Sequence, residues 1–226
     1  FTQRAGRWNQ QQRITTNGGE QRDEFGRSVA VSDSGKVAVI GAYNHSEQDA
    51  GAIGAAYVFT RNEEEWSQQK KLTADDGDVD DQFGRSVTVS PDGNTALIGA
   101  FLDDDPNGSL SGSAYVFTQD SGNWIQEQKL VADDGNVNDR FGADGLALSD
   151  RGETAVIGAF GDEDPNGDRA GSVYAFSRVD EEFGSEPGNG EAQSDPQERA
   201  LQIAGKDRAE EVTQNDVTAA ITRFNR

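Results

Sequence analysis

The sequence predicts an all-β protein built from three copies of one four-stranded antiparallel unit. Aromatic and glycine landmarks recur at a spacing of 58 or 59 residues, and short apolar segments separated by turn residues lie at fixed distances from them. The landmarks are Trp8, Trp66 and Trp124, then Phe25, Phe83 and Phe141 (each followed by Gly), then Tyr57, Tyr115 and Tyr174. Four short strands in each copy of a repeat of this length are typical of a β-propeller blade.

The first predicted strand of each copy, strand a, carries the Trp and ends in Lys-Leu or its equivalent. An acidic connection then leads to Phe-Gly and to strand b, where apolar residues alternate with others. Strand a is predicted at Trp8–Ile14, Trp66–Leu72 and Trp124–Leu130, and strand b at Ser28–Ser32, Ser86–Ser90 and Gly145–Ser149.

A four-residue turn with Gly in third place joins strand b to strand c, which favours a tight hairpin. Strand c is almost continuously apolar, and such a run indicates a sheet covered on both faces. A longer loop then leads to strand d. Strand c is predicted at Val37–Ala42, Thr95–Ala100 and Thr154–Ala159, and strand d at Ala55–Thr60, Ser113–Thr118 and Ser172–Ser177.

The nine repeated aromatic residues are predicted to pack between blades. Each blade buries its faces against its neighbours, and a large ring fills such an interface while a Gly lets the next backbone approach. We therefore assign none of them a catalytic role, and no other residue of the sequence is given one.

The composition restricts the classes of partner and of chemistry. The chain has 41 acidic and 20 basic residues, a formal charge of −21, one His and no Cys. Such a surface repels nucleic acid and anionic membrane, and the lack of Cys excludes disulfides and thiolate sites. Only five of the basic residues are Lys. We interpret this set as adaptation to a very salty medium, where charge repulsion is screened within ~3 Å at about 1 M salt. The alternative is that acidic loops bind Ca²⁺.

No apolar run is long enough to cross a membrane as a helix, and no basic-then-apolar leader is present. Phe1 aligns with Phe59 and Phe117 of the other copies. We therefore expect that a leader or earlier sequence has been removed, and that the protein is extracellular or at the cell surface.

Three short motifs and their spacing resemble the FG-GAP repeat. Each Phe-Gly is followed by Ile-Gly-Ala and then by Gly-x-x-Tyr-x-Phe. The Ile-Gly-Ala motifs are Ile40-Gly41-Ala42, Ile98-Gly99-Ala100 and Ile157-Gly158-Ala159. The resemblance covers residues 1–178 and implies a β-propeller of the kind found in integrin α-chain heads and secreted microbial surface proteins. The acidic composition resembles the version common in salt-loving archaea, and Tyr43, Phe101 or Phe160 stands where the family has the Pro of Gly-Ala-Pro.

Ca²⁺ is the one cofactor that the sequence predicts. Family members often carry a loop of the Asp-x-Asp-x-Asp-Gly kind, but here that segment is a short turn, and Ca²⁺ takes about six to eight oxygen ligands. The candidate ligands lie instead in the a–b connections and the c–d loops, and solvated acidic turns are the alternative interpretation. They are Asp75, Asp76, Asp78, Asp80, Asp133, Asp134 and Asn136 in the connections, and Asp103, Asp105, Asn107, Asp162, Asp164, Asn166 and Asp168 in the loops.

Two Asn-x-Ser sequons, at Asn44 and Asn107, lie in predicted c–d loops and are candidates for glycosylation. His45 lies beside Ser46 and Glu47, but adjacency in sequence does not make a catalytic triad. We therefore predict that His45 is a surface loop residue.

The composition changes after residue 178. Residues 179–198 are predicted to be a flexible acidic linker, and residues 199–226 a helical tail with a helix from about Gln214 to Phe224. Its apolar docking face consists of Val217, Ala220, Ile221 and Phe224. This tail resembles a degenerate dockerin-like segment of secreted archaeal proteins, and a tail that packs on the propeller or a neighbour is the alternative.

Three blades are fewer than the roughly four to eight of a closed propeller. We expect self-association with another chain to complete the ring, since two uncovered blade faces would expose apolar area. A longer assembly and an open arc are the alternatives.

The sequence thus predicts a non-catalytic propeller that binds other surface or secreted proteins or glycans in high salt. Its working surface would be the loops at one end of the blades, above all the c–d loops. One alternative is a structural subunit of a surface filament, sheath or virion, whose blades are completed by neighbouring copies. Another is a carbohydrate-active enzyme that uses paired carboxylates, although no pair stands out from the repeated background.

Overall fold

The computed structural model describes residues 2–4, 6–46, 51–104, 107–163, 167 and 169–179. The chain divides into two units, Phe1–Val179 and Asp180–Arg226. The second unit holds nearly all of the predicted linker and the whole docking helix, with Val217, Ala220, Ile221 and Phe224, and lies outside the described residues. The described part contains no helix, and hence none that could cross a membrane.

A short hairpin and three antiparallel sheets follow one another along the described chain. The hairpin consists of β1 (Thr2–Arg4) and β2 (Arg7–Asn9). Blade 1 contains β3 (Val29–Val31), β4 (Val37–Ala42), β5 (Ala55–Asn62) and β6 (Glu65–Leu72). Blade 2 contains β7 (Phe83–Val89), β8 (Thr95–Ala100), β9 (Ser113–Asp120) and β10 (Asn123–Leu130). Blade 3 contains β11 (Phe141–Leu148), β12 (Thr154–Ala159) and β13 (Ser172–Ser177). The predicted all-β fold of propeller-type blades is confirmed, and all three strands c have the predicted bounds.

The grouping of strands into sheets corrects the prediction at one point. The strand that carries the Trp does not begin the blade of its own copy. Instead β6 pairs with β5, and β10 pairs with β9, which are strands d of the preceding copy. The reason is the length of the connections, because two residues join β5 to β6 whereas ten separate β6 from β7. A two-residue turn makes its flanking strands neighbours, so a blade consists of strands b, c and d and the next copy's strand a.

Adjacent blades pack face to face through apolar side chains. Val39, Val58 and Leu72 of blade 1 belong to one buried cluster with Phe83, Ile98, Phe117 and Trp124 of blade 2. Leu97, Ala114 and Leu130 of blade 2 form an equivalent cluster with Phe141, Ala155, Ile157 and Ala159 of blade 3. The same two faces therefore meet at both boundaries, as expected for a repeat whose units bury their surfaces against each other.

Repeated glycines set the closest approach between blades. A Cβ added to Gly41 of blade 1 would overlap with the carbonyl oxygen of Gly84 in blade 2. A Cβ added to Gly99 of blade 2 would overlap in the same way with the carbonyl oxygen of Gly142 in blade 3. The Gly of Ile-Gly-Ala thus leaves space for the backbone of the next Phe-Gly. This contact explains why the two motifs occur together in each repeat.

The aromatic landmarks occupy equivalent positions in the three blades, with one exception. In each blade the Phe of Phe-Gly meets the repeated Tyr edge to face, with ring centroids 5.5–5.7 Å apart. The pairs are Phe25 with Tyr57, Phe83 with Tyr115, and Phe141 with Tyr174. Trp124 is buried and Trp66 packs at the edge of a buried cluster. Trp8 is 70% exposed, so its predicted packing role is not met in the described residues, where β2 pairs only with β1.

The glycine contact between blades predicts a position-specific loss of stability. Gly99→Ala should lower the free energy of unfolding by about 2 kcal/mol or more, because the added methyl group forces two backbones apart. The matched control is Gly158→Ala, since a Cβ on Gly158 would meet its nearest neighbour at 3.7 Å. Denaturant unfolding of both variants at high dilution tests this, and an equal effect of the two substitutions would contradict it.

Candidate functional site

The antiparallel order of the strands places all long connections at one end of the blades. We call this the loop end, and it comprises the described residues of the a–b connections 10–28, 73–82 and 131–140 and of the c–d loops 43–54, 101–112 and 160–171. The c–d loops of blades 1 and 2 are hydrogen-bonded to the a–b connection that follows them and to the first residue of the next strand b. The amide of Phe83 donates to the carbonyl of Ile53 at 3.0 Å, and that of Phe141 to the carbonyl of Ser111 at 2.8 Å. The loop end is therefore one surface that continues across the blade boundaries.

A buried aspartate holds each a–b connection in shape. Asp23, Asp81 and Asp139 lie two residues before the Phe of Phe-Gly, and all three are buried. Each carboxylate accepts the backbone N–H three residues earlier. These donors are Glu20 at 2.7 Å, Asp78 at 2.6 Å and Asn136 at 2.5 Å. The hydrogen bond closes a tight local turn, so the exposed residues of the connection stand on a fixed base.

A second buried carboxylate anchors the c–d loops of blades 2 and 3. The hydroxyl of Tyr115 donates to Asp103 at 2.8 Å, and that of Tyr174 donates to Asp162 at 2.7 Å. In blade 2 the ammonium group of Lys129 from the outer strand also lies between two carboxylates, 2.9 Å from Asp103 and 2.8 Å from Asp76. The strands d and a thereby fix the loop that lies above them.

Blade 1 has His45 at the position of Asp103 and Asp162. His45 is buried, so the prediction of a surface loop residue is wrong. Its Nε2 lies 2.7 Å from Lys71 Nζ and its Nδ1 lies 3.0 Å from the carboxylate of Asp23. Because an ammonium group only donates, Nε2 is the acceptor and Nδ1 carries the proton shared with Asp23. One imidazole thus connects the cation of the outer strand to the buried aspartate of the connection.

The electrostatics of the blade 2 site follow from burial. Burial raises the pKa of Asp81 to about 6, and the nearby carboxylates of Asp103 and Asp78 act in the same direction. Burial lowers the pKa of Lys129, but its hydrogen bonds to Asp76 and Asp103 outweigh this and leave the pKa above its ordinary value. The Lys129 ammonium group is therefore a stable charged partner, whereas Asp81 protonates more readily than an ordinary aspartate does.

The predicted Ca²⁺ ligands of blade 2 border an acidic cleft of about 550 Å³. Asp76, Asp78, Asp80 and Asp103 line it, together with Lys129. Among the described residues, no group of three or more His, Cys, Asp or Glu side chains is arranged to hold a metal ion. Asp105, Asp164, Asn166 and Asp168 lie outside the described residues. Ca²⁺ binding at the loop end therefore stays a prediction.

The remaining candidate ligands lie at the surface or are engaged with the backbone. Asp75, Asp133 and Asp134 are exposed, and the side-chain amide of Asn136 donates to the carbonyl of Asp134 at 2.9 Å. The sequon residues are also engaged. Asn44 donates to the carbonyl of Arg22 at 2.8 Å, and Asn107 to that of Ala132 at 2.6 Å. A glycan on either nitrogen would have to replace that hydrogen bond.

The buried supports of the loop end are not among the residues predicted from the sequence, although one kind of support has a local signal. Asp23, Asp81 and Asp139 form the pattern Asp-x-Phe-Gly in all three copies. The roles of Lys71 and Lys129 had no local signal, because their partners lie 26 residues away or more in sequence.

The class of protein that this arrangement defines is a repeat protein with β-propeller blades, whose long loops gather at one end. The FG-GAP repeat matches three segments of the chain, residues 8–59, 66–117 and 124–176. These segments make up more than half of the sequence, and the chain belongs to the FG-GAP repeat family.

No curated protein matches the chain. Among solved structures, it is similar to Sqt1 of Saccharomyces cerevisiae, with 11% sequence identity and a TM-score of 0.41. The match covers 72% of this chain and 34% of that chain, so this protein spans about a third of the length of Sqt1.

The contacts of Lys129 predict a stability defect that depends on its two carboxylates. Lys129→Met should lower the free energy of unfolding by about 2–3 kcal/mol, because Asp76 and the buried Asp103 lose their cation. The double variant Lys129→Met/Asp103→Asn should recover part of this loss. Lys70→Met, at an exposed position on the outer strand of blade 1, is the control. Denaturant titration tests this, and an equal loss in the control would contradict it.

The raised pKa of Asp81 predicts a pH-dependent change in stability. The folded protein holds this proton more tightly than the unfolded chain does. The stabilisation is therefore complete below about pH 3.8 and is lost as pH rises through about 6. Asp81→Asn removes the charge and keeps an acceptor for Asp78. Its free energy of unfolding, relative to the native sequence, should rise across this window in urea titrations at fixed ionic strength.

Asp81→Ala separates the charge of Asp81 from its hydrogen bond. It also removes the acceptor, so its free energy of unfolding should lie below that of Asp81→Asn by about 1 kcal/mol at every pH. If the free energies of unfolding of Asp81→Asn and of the native sequence differ by the same amount at every pH between about 3.8 and 6, the raised pKa of Asp81 is contradicted.

Proposed function

We propose that this chain is a non-catalytic binding propeller, displayed outside the cell or at its surface in a high-salt medium, which binds protein or glycan partners with its loop end. The observation that carries the proposal is that some residues of the loop end support the loops from inside, while others are exposed to solvent. Buried Asp side chains recur in all three blades, and Tyr, His and Lys side chains bind them and hold the loops, while Val79 and Val137 of the connections are exposed. A rigid base with outward-facing loops is the arrangement of a recognition surface.

Repetition of the buried groups favours a binding role over catalysis. A catalytic carboxylate pair has to be placed once, against one substrate. Here the Tyr–Asp hydrogen bond occurs in blades 2 and 3 alike, and His45 replaces the Asp in blade 1. Members of the FG-GAP family are typically non-catalytic binding domains, which supports the same reading.

Two exposed valines mark where a partner would gain contact area. Val79 and Val137 are equivalent residues of successive a–b connections, and both are exposed. Val79 packs beside Gly51, and Val137 beside Gly108, in the preceding c–d loop. In a medium of several-molar salt the surrounding carboxylates are screened, whereas excluded salts strengthen apolar contacts. Apolar contacts of this kind, with hydrogen bonds around them, would therefore supply affinity there.

The high-salt setting is supported by the charge of −21. At low ionic strength so many carboxylates repel one another and oppose the compact state, and concentrated salt removes this cost. Ca²⁺ at the c–d loops and glycans at Asn44 and Asn107 belong to the same proposal. Titration with a chelator and mass analysis of the secreted protein test them separately.

A structural subunit completed by neighbouring copies is the second candidate function. The observation that favours it is the exposure of apolar side chains on blade 3, where Val173 is 69% exposed. It concerns a different surface from the loop end, so the two functions can coexist.

The binding function predicts that partners bind at the loop end and not at the opposite end of the blades, where the short turns lie. The variant Val79→Ser/Val137→Ser should reduce retention of the protein on cell envelopes of a halophilic archaeon, in several-molar salt, by about tenfold or more, which corresponds to about 1.4 kcal/mol. Ile125→Ser is the matched control, because Ile125 is equally exposed and lies near the opposite end of blade 2. Equal retention of both variants, or no retention of the native protein, would contradict the proposal.

A further inference from the structure

Blade 3 exposes the face that the next blade covers in blades 1 and 2. Val39 and Leu97 on strand c are fully buried, whereas their equivalent Val156 is 37% exposed. Ala56 and Ala114 on strand d are likewise buried, and their equivalent is Val173, which is 69% exposed. This face has the composition of an interface that the chain forms twice elsewhere.

Blade 1 exposes the complementary face. In blade 2, Val87 and Val89 of strand b are buried in the cluster shared with blade 1. Their equivalents in blade 1, Val29 and Val31, are 65% and 57% exposed. Two kinds of face pack together between blades 1 and 2 and between blades 2 and 3. Blade 3 exposes a face of the first kind, and blade 1 exposes a face of the second kind.

The outer strands show the same complementarity. The pattern Trp-x₄-Lys/Arg-Leu/Ile occurs at residues 8–14, 66–72 and 124–130. The second and third copies form the outer strands of blades 1 and 2, whereas blade 3 has three strands among the described residues. In the first copy only Trp8 and Asn9 lie in a strand, β2, which pairs only with the three-residue β1 in the described residues. The pairing of β1 with β2 has the same register as the pairing of β5 with β6 in blade 1, because Thr2 lies opposite Asn9 as Thr60 lies opposite Ser67.

We propose that a second copy of this chain docks head to tail on the first. Residues 8–14 of one copy no longer pair with β1. They pair instead with β13 of the other copy and become the fourth strand of blade 3 in that copy. Blade 1 of the incoming copy then packs on the exposed face of blade 3. The repeat sets the register, with Asn9 opposite Ser177 and Arg13 opposite Tyr174, as Lys71 lies opposite Tyr57 and Lys129 opposite Tyr115.

Charge complementarity supports this register. In blade 2, Lys129 lies between Asp76 and Asp103. The equivalents of these carboxylates in blade 3 are Asp134 and Asp162, and the equivalent of Lys129 in the incoming strand is Arg13. The guanidinium group of Arg13 would therefore reach an acidic pair of the kind that the lysine contacts within blade 2. A guanidinium group suits such a pair because it donates several hydrogen bonds in a fixed plane.

The glycine contact also fits. A Cβ on Gly158 would meet Gly145 of its own blade at 3.7 Å, whereas a Cβ on Gly41 or Gly99 would overlap with the next blade. Gly26 has the positive φ of Gly84 and Gly142. The carbonyl of Gly26 in the incoming copy can therefore approach Gly158 as Gly84 approaches Gly41. Two copies joined at both ends would form a ring of six blades, within the roughly four to eight of closed propellers.

The other possible occupant is the chain's own segment after residue 179. The positions equivalent to an outer strand are 183–189, with the sequence Phe-Gly-Ser-Glu-Pro-Gly-Asn. Two Gly and one Pro weaken a strand, and the Lys-Leu ending is absent. The segment 8–14 has the full pattern, so the second copy is the occupant that we commit to.

The first test is the assembly state in several-molar salt, measured by sedimentation velocity over a range of protein concentrations. We expect dimers or larger assemblies of the native chain. Val173→Lys and Gly158→Ala should each raise the dissociation constant by on the order of 10- to 100-fold, by burying an ammonium group or by blocking the glycine contact. Val137→Lys, on an exposed valine of the loop end, should leave it unchanged. A monomer at all concentrations would overturn the proposal.

The second test fixes the register and the identity of the occupant. The native chain has no Cys, so copies with Asn9→Cys can be mixed with copies with Ser177→Cys under mild oxidation. Because each copy carries one thiol, a mixed disulfide forms only between copies, and directly opposed positions are close enough for it. Gln12→Cys with Ser177→Cys is the out-of-register control. Absence of the mixed disulfide would overturn the proposed register. An equal yield of mixed disulfide in the control would also overturn it. So would a disulfide within one chain when Asn9→Cys and Ser177→Cys are combined in the same copy.

Discussion

The structure depends on one contact, the approach of a glycine on strand c to a glycine on strand b of the next blade. Gly41 meets Gly84, and Gly99 meets Gly142, with no room for a Cβ at either Gly41 or Gly99. This approach brings the apolar faces of adjacent sheets into contact, so that Val39 and Leu97 become fully buried. A blade is stable because its neighbour covers it, which is the general property of repeat proteins.

The same stacking produces the loop end. Because the strands alternate in direction, every blade places its two long connections on one side, and stacking brings the c–d loop of one blade against the a–b connection of the next. Buried polar groups then fix these segments from below. Tyr115 and Lys129, for example, both bind the carboxylate of Asp103.

Much of this architecture could be predicted from the sequence because its signals are local. Strand c was predicted at its observed bounds, since an apolar run and a Gly-containing turn define it. The membership of β6 and β10 in the preceding blade was missed, because a two-residue turn decides it and the 58-residue period does not depend on where a blade begins. The buried position of His45 was missed for a different reason. It follows from Asp23 and Lys71, which are distant in sequence and meet only in the folded chain.

Amide hydrogen exchange of the native protein in concentrated salt tests the dependence of one blade on the next most directly. If neighbouring blades stabilise each other, the amides of Val39 in β4 and Leu97 in β8 should exchange with the same free energy of opening, as one cooperative unit. Exchange of the two strands through separate openings of different free energy would show that each blade is stable by itself and would contradict this description.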